Sequence, residues 1–136
     1  MDIRKFRESD RDAVIALWKR CDLVRPQNDP NTDIDLKTSF QPDLFLVGER
    51  DGSVVATVMA GYEGHRGWIN YLAVDPETQR DGLGAKMMTD AEALLKELGC
   101  VKINLQVRST NAAVLGFYDS IGYAKDDVVS MGKRLS

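Results

Sequence analysis

Between Leu72 and Ala85 the chain reads Leu-Ala-Val-Asp-Pro-Glu-Thr-Gln-Arg-Asp-Gly-Leu-Gly-Ala, and this stretch restricts the fold more than any other. A β-forming run from Trp68 to Val74 stops at Asp75-Pro76, and a polar turn follows. Gly82 and Gly84 then open a helical period carried by Leu83, Met87, Ala91, Leu94, Leu95 and Leu98, with Gly99 as a natural stop. A strand, a turn and a glycine-led helix in that order expose main-chain N–H groups at the helix N-terminus, where the dipole also favours an anion. Without a Cβ at Gly82 and Gly84, phosphate oxygens can approach the main chain closely. Arg80 adds a full positive charge at the same place. A P-loop needs Lys and then Ser or Thr after its last glycine, but Ala85 and Lys86 follow Gly84. A dinucleotide fingerprint needs a third glycine where Met87 stands. Both patterns fail, leaving Gln79-Arg80-Asp81-Gly82-Leu83-Gly84.

The remaining segments read as one α/β domain over residues 1–136. Residues 2–6 form a short strand, and Ser9 with Asp12 starts a helix whose apolar face is Val14, Leu17, Trp18 and Cys21. Residues 22–30 are loop, and a short helix lies between Thr32 and Phe40. Leu44 to Glu49 and Val54 to Ala60 are strands joined at Asp51-Gly52, a strong hairpin signal. A second turn, Gly61 to Gly67, leads into the strand that ends at Val74. Ile103, Leu105 and Val107 alternate as a strand, Asn111 to Ile121 is helical, and Tyr123 to Leu135 closes the chain as one or two strands. The later β-α-β unit is expected to be parallel.

Composition removes several classes. Charged residues make up 29% with a net charge of −3, and basic residues are scattered among acids rather than gathered on one face, so nucleic acid is not an expected partner. No run approaches the roughly 18 apolar residues of a membrane span, and the N-terminus lacks the apolar segment of a leader. Cys21 and Cys100 stand apart from any Cys-x-x-Cys pair and are expected to be free thiols in the cytoplasm. No metal site is expected.

The hexapeptide resembles the Gln/Arg-x-x-Gly-x-Gly/Ala pyrophosphate loop of the GCN5-related N-acetyltransferase (GNAT) superfamily. Asn111 follows 27 residues after Gly84. Phe117-Tyr118-Asp119-Ser120-Ile121-Gly122-Tyr123 then resembles that family's Phe-Tyr-x-x-x-Gly-Phe/Tyr segment, and the element order is similar from Ile3 to the end. The resemblance implies a mixed, mostly antiparallel central sheet with helices on both faces and a splayed parallel strand pair at the acetyl-coenzyme A site. It implies N-acetyl transfer from acetyl-coenzyme A to a primary amine of an unidentified acceptor, a small molecule or a protein N-terminus. The backbone of Leu72, Ala73 and Val74 would hold the pantetheine arm, with the Val74 N–H at the thioester oxygen. Gln79, Arg80, Asp81, Gly82, Leu83, Gly84 and Ala85 would form the pyrophosphate loop. Asn111 would contact the cofactor arm, and Tyr118 would stand near the sulfur as general acid. Many family members carry a glutamate where this chain has Asn70, so the base is unassigned. Glu63 acting through water is the first candidate, with His65 or Tyr71 assisting. The Asn70 position also leaves open an acyl-coenzyme A sensor on the same fold with little or no catalysis. Dimerisation through the terminal strands is compatible with the sequence, which carries no signature for it.

Overall fold

A computed structural model describes residues 1–136 apart from the side chain of Arg80, which lies outside the described residues. The chain divides into two compact units, residues 1–106 and 107–136. In the first, five strands form one sheet in sequence order: β1 (Asp2–Lys5), β2 (Phe45–Arg50), β3 (Ser53–Tyr62), β4 (Gly67–Val74) and β5 (Ile103–Leu105). The first four are antiparallel, whereas β5 lies parallel to β4 because the helix α3 (Leu83–Glu97) forms the crossover between them. The β2–β3 hairpin turns at Asp51 and Gly52, whose φ values of 52° and 79° are those of a type I′ turn.

Period-two alternation sorts the strand residues onto two faces. Phe45, Val47, Met59 and Ala73 pack with Val14, Leu17 and Trp18 of α1 (Arg11–Arg20) and Ile34 of α2 (Pro30–Ser39). Trp18 stacks on Tyr71 with ring centroids 3.8 Å apart, and Phe45 stacks on Phe6 at 4.5 Å. The opposite face receives α3, through Leu83, Met87, Met88, Ala91 and Leu95, all buried. Contact there is close: a Cβ on Gly48 would lie 3.2 Å from the Met87 sulfur.

Two details depart from the sequence reading. The turn before α1 is capped by Asp10, whose carboxylate accepts the Arg7 N–H at 2.8 Å and two N–H groups of Arg4 at 2.8 and 2.9 Å. Ser9 and Asp12 are therefore not the cap, because Arg4 on β1 draws Asp10 inward. In the second unit the only described helix is α4 (Ala112–Ser120), and no strand is described after β5. The expected closing strands are absent from residues 123–136, where Val128, Val129, Met131 and Leu135 are exposed. A strand requires a ladder partner for its N–H and C=O groups, and β-forming residues interrupted by Asp126, Asp127 and Gly132 do not supply one.

Trp18 does more than fill space: its indole N–H donates to the Thr57 hydroxyl at 2.9 Å. Trp18→Phe should therefore cost about 1 kcal/mol beyond any packing loss, and Trp18→Ala about 3–5 kcal/mol. Urea unfolding of the three proteins checks both values.

Candidate active site

β4 carries the geometry that matters. Its ladder to β5 covers Gly67, Trp68 and Ile69, opposite Ile103, Asn104 and Leu105, and no pairing of the two strands continues beyond. β5 ends at Leu105, so from Asn70 to Val74 the edge of β4 on that side is free of ladder bonds to β5. On its other edge β4 pairs with β3, and there the register slips. Thr57 faces Ala73, but Met59 faces Asn70, so Tyr71 and Leu72 both stand opposite Val58. This is a β-bulge, and Tyr71 takes a left-handed φ of 52° to make it. The Tyr71 carbonyl accepts the Thr57 hydroxyl at 2.9 Å, while Thr57 accepts from Trp18. Tyr71 Oη in turn donates to Asp33 Oδ2 on α2 at 2.5 Å. Burial and the neighbouring carboxylate push the Tyr71 phenol well above its ordinary value, so it stays protonated.

Past Val74 the chain makes a 3-10 turn over Pro76–Asp81, capped by Asp75, whose carboxylate accepts the Glu77 N–H at 3.0 Å. Gly82 follows at φ 72°, with nothing within 4 Å of the place a Cβ would take, and α3 begins at Leu83. The first N–H groups of this 15-residue helix, at Leu83, Gly84 and Ala85, have no acceptor within it. Asp81 turns its carboxylate to Arg50 at 2.7 Å, which offsets a negative charge beside that N-terminus. Gln79 donates to the Val74 carbonyl at 3.3 Å, and the Cys21 thiol donates to the same oxygen at 3.3 Å. Strand end, turn and helix start are thus tied into one piece, and the unpaired N–H groups at the start of α3 fit an anionic group such as a pyrophosphate.

Glu63 stands elsewhere. It is exposed in the β3–β4 turn, where its carboxylate accepts the N–H groups of His65 and Arg66. β4 runs seven steps from Gly67 to Val74, about 23 Å at strand rise. Glu63 and His65 are therefore at the opposite end of the strand from Val74. In the second unit Asn111 caps α4, its side chain accepting the Val114 N–H at 3.2 Å. Tyr118 is buried, with its ring edge-on to Phe117 and Tyr123 at 5.1 and 5.5 Å. Burial pushes its hydroxyl up to about 12.

Three polar residues of the α1–α2 face escape a sequence reading. Thr57 is hidden among β-formers. Gln41, at a left-handed φ of 55°, pairs its amide with both main-chain groups of Tyr62 at 2.7 and 2.8 Å. Lys37 is buried on α2 and donates to the Ala60 carbonyl. Its position three residues after the buried Ile34 is the one signal that places it on the inner face of α2. Together Lys37 and Gln41 satisfy the end of β3 that extends beyond β2.

Comparison with known proteins agrees with this geometry. The model of the acetyltransferase (GNAT) family matches residues 7–123. The acetyltransferase ECA0875 of Pectobacterium atrosepticum is 48% identical over 135 residues, covering 99% of this chain and 96% of the relative. The chain belongs to the GNAT acetyltransferase family, and it is an acyltransferase. Among solved structures, Ard1 of Thermoplasma volcanium superposes with a TM-score of 0.82 at 25% identity, covering 90% of this chain and 82% of that one. The ribosomal-protein-S18-alanine N-acetyltransferase of Escherichia coli shares the fold, with a TM-score of 0.73 at 24% identity over 89% of this chain and 76% of that one.

Burial lowers the Lys37 ammonium from its ordinary 10.5 to about 8. Between those two values the unfolded chain holds a proton that the folded chain has released, so this group makes stability rise with pH across that window. Below about pH 8 both states are protonated and the dependence from Lys37 vanishes. The stability of the natural protein relative to Lys37→Met should therefore improve between pH 8 and pH 10, as read by urea unfolding at each pH.

Proposed function

We propose that the chain is an N-acetyltransferase that moves the acetyl group of acetyl-coenzyme A onto a primary amine, and that residues 1–136 form one catalytic domain acting in the cytoplasm. The observation that carries this reading is the bulged end of β4, free of ladder bonds to β5, joined by one 3-10 turn to a glycine-opened helix N-terminus. Acetyl-coenzyme A supplies a thioester whose carbonyl carbon is open to attack by the amine. Leu72, Ala73 and Val74 bind the pantetheine arm through their main chain. The Val74 N–H donates to the oxygen that gains negative charge, a contribution of about 3 kcal/mol for one preorganised donor. The N–H groups from Arg80 to Ala85 receive the pyrophosphate, assisted by the α3 dipole. Asn111 contacts the cofactor arm. Tyr118 donates a proton to the departing thiolate, since a tyrosine hydroxyl is protonated at neutral pH.

Glu63, the first candidate for a base acting through water, lies in the turn that precedes β4, at the end of the strand away from Val74. Asn70, exposed on β4, cannot act as a base. That residue favours a second reading, an acyl-coenzyme A sensor with little turnover. Tyr118, in the position of the family's general acid, favours catalysis. The acceptor is a small amine or a protein N-terminus, because a shared fold does not decide specificity.

Isothermal titration with acetyl-coenzyme A, using ATP and NAD as controls, tests the cofactor site. Selective binding is expected, and a folded sample that binds none would overturn the reading. Gly82→Ala should cost about 1–2 kcal/mol of stability, because its φ of 72° disfavours any Cβ, and should keep most binding. Gly82→Glu should abolish binding as well. Tyr118→Phe should bind acetyl-coenzyme A normally and lower turnover by about 100-fold in a free-thiol assay.

A further inference from the structure

We propose that Cys21 is a positioning residue for acetyl transfer, one that aims the Val74 N–H at the thioester oxygen. Its thiol acts through the Val74 carbonyl, together with the Gln79 amide. The inference rests on the acetyl-transfer reading above and adds what directs that donor. In the β3–β4 ladder Val74 stands opposite Ala56. The Asp75 N–H donates to the Val55 carbonyl at 2.8 Å, a bond that brackets the Val74–Ala56 pair from outside. A pair bracketed in this way exchanges no bonds of its own in an antiparallel ladder. The N–H and C=O of Val74 therefore both turn away from β3, toward the edge that carries no ladder bonds to β5. On that edge the carbonyl is occupied, since the Cys21 thiol and the Gln79 amide each donate to it at 3.3 Å. Among the described residues, no ladder bond of β5 takes the N–H.

The two donors on that oxygen differ in shelter. Gln79 is exposed and can exchange its bond for one to water. Cys21 is half-buried at the end of α1, where its own N–H donates to the Leu17 carbonyl at 3.0 Å. Val14, Leu17 and Trp18 bury that helix against the sheet, so the direction of the Cys21 side chain follows from core packing. Burial also pushes the thiol up, which keeps on it the proton the bond needs. Arg20, one residue earlier, pairs with Asp75 at 3.0 Å. Two consecutive residues of α1 thus grip two consecutive residues at the exit of β4. An S–H···O bond is weak, so its loss takes little from stability. Direction matters more, because a reacting group misplaced by about 1 Å can lower a rate by ~100-fold. Cys21 works through Val74 and is not itself a catalytic residue.

The test follows the backbone amide proton of Val74 by NMR while acetyl-coenzyme A, or coenzyme A without its acetyl group, is titrated into the protein. In the natural protein this resonance should move downfield with acetyl-coenzyme A and much less with coenzyme A, because only the first brings a carbonyl oxygen to the N–H. Cys21→Ala should lose at least half of that acetyl-dependent shift, while coenzyme A affinity is unchanged and Tm falls by no more than a few degrees. Cys21→Ser, which puts a hydroxyl donor in the same place, should recover the shift. An undiminished shift in Cys21→Ala, or a loss that Cys21→Ser does not recover, overturns the role of Cys21. A cysteine that only packs would lower Tm and coenzyme A affinity and leave the acetyl-dependent shift alone, which overturns it as well. No such shift in a natural protein that binds acetyl-coenzyme A overturns the aiming of Val74 and leaves the cofactor site standing. Failure of the natural protein to bind acetyl-coenzyme A sinks the acetyl-transfer reading, and this role with it.

Discussion

The hydroxyl of Thr57 is the point on which the bulged end of β4 turns. It donates to the Tyr71 carbonyl and accepts from Trp18, both at 2.9 Å. Tyr71 sits in the left-handed region, a conformation that costs a non-glycine residue roughly 1–3 kcal/mol and persists only where the surroundings over-determine it. Here the surroundings do so from three directions: Thr57 below, Trp18 against the ring, and Asp33 at the phenol oxygen. The bulge that results places two residues opposite Val58 and re-aims the main chain just before Val74. A regular β4 would carry the same residues with their N–H groups committed to different directions.

From that bulge the sheet separates two kinds of chemistry. On one face α3 brings an electropositive N-terminus, opened by Gly82 and relieved of the Asp81 charge by Arg50. On the other, α1 and α2 present Asp33, Lys37 and Gln41 to the outer ends of β3 and β4. β4 is the wall between them, and its loss of pairing with β5 after Ile69 opens that wall at one end.

Much of this was legible in the amino-acid order. The apolar run that opens at Leu44, the β-forming residues from Val54 to Ala60, the Asp-Gly turn, and the 3.6-residue period from Leu83 to Leu98 are local patterns, and each yielded the element it signals. So did the sequence Asp75 to Gly84, because prolines, glycines and caps act within a few residues. Misreadings fell where a distant partner decides. Asp10 displaced Ser9 as the cap because Arg4 reaches it from β1. Residues 123–136 have β-forming side chains but no described ladder.

By itself, then, the sequence determined the order of elements, the glycine-led helix start and the family, since these depend on contacts between near neighbours along the chain. Only the tertiary structure decided that Tyr71 takes a left-handed backbone, that Thr57 lies under it 14 residues away, and that Asp33 reaches it from 38 residues away. No local pattern encodes such a bulge. Its strain is unfavourable in any isolated peptide, and it becomes the lowest state only when α1, α2 and β3 close around it together.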